Sequence, residues 1–209
     1  MRMLSEVPTG ARACPPDCAT CGRLRGAAAA AVLMTGGVEV TMADLAAAAG
    51  VPASAIARHC PEGAARIVAD AYRRASGELF AEYAASFRLA ESWPEQLGVA
   101  LERMLRRLSQ EPDVAHLCFV TSVSSGEELR EIRQVFRARY VELLATEQAR
   151  HANDEEELLP ELALELMVGA VFRMIGELVA DGRAPELPTL ARDVASTARV
   201  FEPRVALTA

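Results

Sequence analysis

Residues 41–60 read TMADLAAAAGVPASAIARHC, and this stretch decides the fold. A short helix over residues 42–49 is expected to stop at Gly50, a residue that takes the left-handed conformation without strain. Val51-Pro52 then turns the chain into a second short helix over about residues 53–59. Thr41 is a good N-cap for the first helix, and Asp44 three residues on completes a capping-box pair. Ala46 is small where the two helices cross. Ile56 points back at Leu45 and Val51 and holds the pair together. This is helix-turn-helix spacing, and such a pair characteristically sets its second helix in a DNA major groove. Alanine-rich helix pairs joined by glycine also occur as plain αα-corners, so spacing alone leaves that alternative open.

The surrounding composition points to an all-α protein. The 209 residues are 51% hydrophobic but only 5% aromatic, so Ala, Leu and Val must fill the core. Those residues suit close-packed helices better than sheets. Every basic residue is Arg. The net charge of −7 is uneven: residues 1–75 balance at +2 and residues 76–209 at −9. A near-neutral head on an acidic body suits a DNA reader on a solvated scaffold, though +2 is a thin supply of positive charge. The longest uncharged apolar run is far short of the ~20 residues that a membrane span needs. No apolar leader segment opens the chain, so a cytoplasmic protein with reduced thiols and no membrane partner is expected.

Helical periodicity continues along the chain. A run from Arg23 stops at Gly36-Gly37. After residues 41–60, Pro61 is expected to start a long helix reaching about residue 89, with Leu79, Phe80, Tyr83 and Phe87 on one stripe. Pro94 opens a helix with Leu97, Leu101, Met104, Leu105 and Leu108 on one face, and Pro112 ends it. Residues 114–123, VAHLCFVTSV, could be a strand by composition, but Pro112 and helical neighbours argue for a buried helix. Residues 127–151 are amphipathic. Residues 156–180 are nearly all apolar, but Glu157, Glu161, Glu165, Arg173 and Glu177 exclude a membrane span. A last helix is expected after Pro185 and Pro188, to about residue 201. Three parts follow: a cysteine-containing arm (1–22), a helix-turn-helix head (23–72) and a helical ligand-binding and dimerisation body (73–209).

This order resembles the TetR family of transcriptional regulators. VTMADLAAAAGVPASAI (40–56) follows the family's Thr-x-x-x-Ile-Ala-x-x-Ala-Gly-Val pattern. RHCPEGAARIVADAY (58–72) stands where the family has its aromatic-His-Phe turn and the next helix. The chain departs from the pattern at Ala57, Cys60 and Gly63, where the family has Tyr, Phe and Lys. By resemblance that Tyr and Lys touch DNA phosphates, so their loss removes positioning contacts. The DNA-facing candidates that remain are Thr41, Ala53, Ser54, Ala55, Arg58 and His59. Arg58 has the fork that pairs with a guanine edge.

The resemblance also implies a mechanism and partners: a homodimer on a double-stranded DNA operator, acting as a repressor released by a small-molecule effector. Half-sites one turn apart demand about 34–36 Å between recognition helices, so a small shift of the long linking helix abolishes binding. Leu158, Leu162, Leu166 and Gly169 are the candidate dimer interface, with Phe172 beside them and Gly176 also allowing close approach. Trp93, Met104, Phe119, Phe136, Tyr140 and Phe172 are the candidate effector pocket, with Cys118 and Met174 the other soft residues available. The alternative is a helical dimer that has lost DNA binding and serves as a ligand-binding or thiol- or metal-sensing module.

Cys14, Cys18 and Cys21 form a C-x3-C-x2-C cluster outside the family pattern. No resident cofactor is expected from the rest of the chain. Three close thiolates suit zinc or an iron–sulfur cluster if a fourth ligand, such as Cys60 or His59, is at hand. A loose arm without a ligand is the competing reading. Cys118 and His116 read as core residues. No Ser-His-Asp grouping, phosphate-loop glycine pattern or HExxH is present, so an enzyme is not expected.

Overall fold

The structure, a computed structural model, describes residues 18–36, 39–52, 54, 56, 63–87, 92–124, 126–152 and 158–198. The helices are α1 (Ala19–Met34), α2 (Met42–Ala49), α3 (Ala64–Ser86), α4 (Trp93–Gln110), α5 (Pro112–His116), α6 (Glu127–His151), α7 (Glu161–Ala180) and α8 (Leu187–Ala198). Among the described residues there is no strand. None of these helices is long and apolar enough to cross a membrane.

The helices form where apolar residues recur every three or four positions. On α1, Leu24, Ala28, Ala31 and Val32 are fully buried, and this face packs on α2, α3 and α5. Pro in the first turn of α4 costs no hydrogen bond there. The stripe Leu97, Leu101, Met104, Leu105 and Leu108 is buried as the spacing predicts, much of it against α8. The core is continuous from Leu24 and Leu45 in the head to Val194 in the body.

Ion pairs fasten α3 to the body. Arg107 on α4 reaches Glu82 and Glu78 on α3 at 3.0 and 3.4 Å. Arg73 on α3 reaches Glu128 on α6 at 2.6 Å. These side chains are mostly half-exposed, so each pair contributes at most about 1 kcal/mol.

Residues 114–123 are helical, with one unexpected feature. After α5 the chain makes a π-helical turn over Leu117–Thr121 before a last turn at Ser122–Ser124. The wider turn carries one extra residue.

Several boundaries differ from the sequence expectation. α1 begins at Ala19, so Cys21 and Gly22 belong to the head rather than to an arm. α3 begins at Ala64 behind Gly63 and runs to Ser86, through the expected head–body boundary at 72/73. The apolar helix expected from residue 156 begins only at Glu161, with Pro160 extended at its N-cap. Proline disfavours the helical conformation of the residue before it, which is why the helix does not extend further back. The last helix ends at Ala198 among the described residues.

Candidate nucleic-acid interface and effector cavity

The start of the head is built as its sequence demands. The Thr41 hydroxyl oxygen accepts from the Asp44 backbone N–H at 3.2 Å, and the Thr41 backbone N–H donates to Asp44 Oδ2 at 2.8 Å. The Thr41 hydroxyl also donates to Oδ2, at 2.6 Å. These hydrogen bonds from Thr41 hold the Asp44 carboxyl below its ordinary pKa. Gly50 closes α2 at φ +61°, in the left-handed region. The Val51 N–H then donates to the Ala46 carbonyl at 3.1 Å, so the chain turns back over Ala46. Ile56 and Leu45 are both fully buried, and Val51 nearly so.

Of the DNA-facing candidates, Thr41 and Ser54 are exposed. Ala53, Ala55, Arg58 and His59 lie outside the described residues, as do Ala57 and Cys60. Gly63 is described and has φ +90°, a conformation that side-chain-bearing residues rarely adopt. A lysine here would strain the backbone, so this departure from the family pattern goes with a different local geometry.

In the body, α3, α4, α6, α7 and α8 surround a small apolar cavity of about 20 Å³. That is room for roughly one water molecule. Of the pocket candidates, Met104, Tyr140 and Phe172 line it. Trp93, Phe119 and Phe136 do not. Trp93 is buried at the start of α4, where its indole N–H has no acceptor among the described residues. Phe119 packs edge-on against Phe172 at 5.2 Å, behind the wall. Phe136 meets Tyr72 of α3 edge-on at 6.5 Å, away from the cavity lining. Tyr83, Leu97, Leu101, Leu144, Val171 and Val194 are among the lining residues not assigned to the pocket from sequence. The signal was present in the buried stripes of α3 and α4, which converge here.

The cavity's polar character is slight. Tyr83 and Tyr140 lie 5.0 Å apart, and Tyr140 meets Phe172 at 5.2 Å. Burial pushes both phenols far above their ordinary pKa, so they stay neutral. The Tyr140 hydroxyl contacts Met104 Sδ at 3.7 Å. Cys118 and His116 are core residues, as expected. Burial pushes the Cys118 thiol up to about 12, and it lies 3.7 Å from Ser76 Oγ. His116 Nδ1 lies 3.3 Å from Thr121 Oγ1, and burial lowers its pKa.

On α7 two faces separate. Leu164, Val168, Val171, Phe172 and Ile175 are buried in the body. Leu162 and Leu166 are each 65% exposed, and Leu158 just before them is 44% exposed. Val135 on α6 is also exposed. The Gln148 side chain fixes the approach to α7 by exchanging two hydrogen bonds with the Leu159 backbone, at 3.0 and 3.2 Å. Phe172 is buried within the chain, and Gly176 faces the Phe119 carbonyl of the same chain. The space above Gly169 is taken by Arg137 of the same chain, whose guanidinium donates to the Glu165 carbonyl at 3.1 Å.

Of the cysteine cluster, Cys18 is the half-buried N-cap residue of α1, and Cys21 is buried one turn on. Cys14 lies outside the described residues. Among the described residues no three His, Cys, Asp or Glu side chains gather as metal ligands.

No protein-family model and no curated protein sequence matches this chain. Solved structures do. The fatty acid degradation regulator FadR from Bacillus halodurans superposes with a TM-score of 0.70 at 16% identity, covering 84% of this chain and 95% of that one. The transcriptional regulator FadR from Bacillus subtilis, solved in complex with stearoyl-CoA, gives 0.69 at 16% identity with the same coverage. A TetR-like transcriptional regulator from Rhodococcus sp. RHA1 gives 0.63 at 17% identity, covering 88% and 97%. At such identities the likeness is one of architecture, and it spans nearly the whole of each of those proteins: this chain has the fold of the TetR-type transcriptional regulators.

Proposed function

We propose that the chain is a homodimeric, DNA-binding transcriptional regulator whose bundle takes an apolar effector, and that the effector releases it from its operator as a repressor. One observation carries this reading. α3 leaves the head and, within the same helix, contributes Tyr83 to the cavity wall. Anything that enlarges the cavity acts directly on the helix that supports the head.

The effector class follows from the lining. The cavity is apolar apart from tyrosine hydroxyls, which suits a lipophilic group such as an acyl chain. Stearoyl-CoA in the Bacillus subtilis protein supports that class by analogy of fold. Ligand pockets run to about 300–1,000 Å³, so binding must part the helices around this one. DNA and effector would then oppose each other reciprocally. The exposed Leu158, Leu162 and Leu166 support pairing of α7 with its copy in a second chain.

A salt titration of the purified protein on DNA from its own upstream region tests the reading. Saturable binding to one site, weakening steeply with salt and reversed by a long-chain acyl-CoA, is the expected result. Absence of site-selective binding at low salt would sink it. The chain would then be a ligand- or thiol-sensing module on the same scaffold, a reading favoured by the glycine geometry at position 63.

A further inference from the structure

We infer that the groove between α3 and α6 holds the anionic end of the effector, and that Arg139 is the residue that selects it. This rests on the reading of the bundle as an effector-binding body and adds the chemistry of the effector's other end. The groove has a volume of about 540 Å³, within the roughly 300–1,000 Å³ of ligand pockets. It stays open because α3 contributes Ala81, Ala84 and Ala85 to it, and methyl groups are too short to fill the space. The wall from α6 carries Arg139, Glu142, Glu147 and Arg150.

An aromatic pair joins the groove to the cavity. Phe80 lines the groove and meets Tyr140 edge-on, with ring centres 5.1 Å apart. Tyr140 and Tyr83 line the cavity, while their neighbours in sequence, Arg139 and Ala84, line the groove. A cavity of about 20 Å³ admits a chain only when the bundle opens. Parting Phe80 from Tyr140 opens it into the groove. A chain lodged in the cavity by that route leaves its polar end between α3 and α6.

The charges there favour an anion at one place. The Arg139 guanidinium lies 4.1 Å from the centre of the Phe80 ring and 5.4 Å from that of Phe136. These contacts orient the planar cation without neutralising it. Among the described residues Arg139 takes part in no ion pair. The other cation of the groove, Arg150, is paired with Glu147 at 2.8 Å. Glu142, on the same wall, repels negative charge from the stretch between the two arginines. Arg139 is left as the position where a carboxylate or phosphate can be held by two parallel hydrogen bonds. The occupant is therefore an apolar chain that ends in an anion. A fatty carboxylate and the phosphates of its CoA thioester offer Arg139 the same chemistry.

Calorimetric binding of dodecanoate, dodecanoyl-CoA and dodecanol to the full-length protein tests the groove. At least one anionic ligand should bind more tightly than the alcohol. Arg139→Gln should weaken that ligand about tenfold and leave dodecanol unchanged. Arg139→Lys should restore part of the loss, and Arg130→Gln, on the same helix outside the groove, should have no effect. Ala84→Phe, which fills the groove without altering its charge, should weaken the same ligand, each variant being folded by circular dichroism. Sensitivity of dodecanoate alone assigns the anion to a free carboxylate, and sensitivity of dodecanoyl-CoA alone assigns it to the thioester's phosphates. Equal binding of all three, untouched by Arg139→Gln, would overturn the groove and leave an apolar effector site standing. Binding of none would overturn both.

Discussion

A Cβ atom on Gly176 would stand 2.9 Å from the carbonyl oxygen of Phe119. The glycine lies on α7 and the carbonyl belongs to the π-helical turn, so two backbones touch where the chain widens its helix. Backbone on both sides leaves little to yield. Gly176→Ala should lower stability by about 1–3 kcal/mol, despite the better helix propensity of alanine. Urea unfolding of the variant measures this, and an unchanged midpoint would show that the π turn relaxes freely.

Gly169→Ala is the informative contrast. Its Cβ would meet the tip of the Arg137 side chain at 3.0 Å, and a guanidinium end can swing aside. Helix propensity then dominates, and the variant should be neutral or more stable by up to about 1 kcal/mol. A loss as large as that of Gly176→Ala would mean that the Arg137–Glu165 hydrogen bond is a principal fastening of α6 to α7.

Thr41→Ala removes the N-cap of α2 and should cost about 1 kcal/mol. Thr41→Ser should restore most of it. Thermal unfolding of the three proteins decides the matter, and equal midpoints would refute a stabilising cap.

His116 gives the protein an acid limb. Burial lowers its folded pKa below the unfolded value near 6.5. The unfolded chain therefore takes up the proton first as pH falls, and protons favour unfolding. The penalty is absent above the unfolded pKa, grows as pH drops through it, and levels off below the folded pKa. Melting temperatures across this window should fall for the native protein and stay flatter for His116→Gln. Parallel curves would remove His116 from the account.

The α7 face predicts a separable defect. Leu162→Glu with Leu166→Glu adds charge where the single chain leaves apolar surface, so helicity should persist while the proposed dimer dissociates. Sedimentation reads this directly. A dimer of unchanged mass would assign the interface to another face.

Much of this was legible in residue order. The cap at Thr41, the left-handed Gly50 and the buried Ile56 are local rules, and they hold. The stripes of α4 and α6 carry their own period. What sequence did not give were features set by two elements meeting. The π turn at Leu117–Thr121 answers the close approach of α7. Phe119 and Phe136 are large and apolar like Phe172, yet they face different neighbours because cavity lining depends on helix rotation rather than on residue type. Gly176 shows the same limit: the need for closeness is visible in a glycine, but the Phe119 carbonyl that meets it is not.

The 23 residues of α3 span about 34 Å at 1.5 Å per residue. Treated as a rigid rod pivoting at Ser86, that length converts each degree of tilt into roughly 0.6 Å of travel at Ala64. A five-degree rotation of the rod, small beside the spread of natural helix crossings, carries the head roughly 3 Å, about one base-pair step along a duplex. The geometry is that of a lever with a short working stroke inside the bundle and a long one at the head.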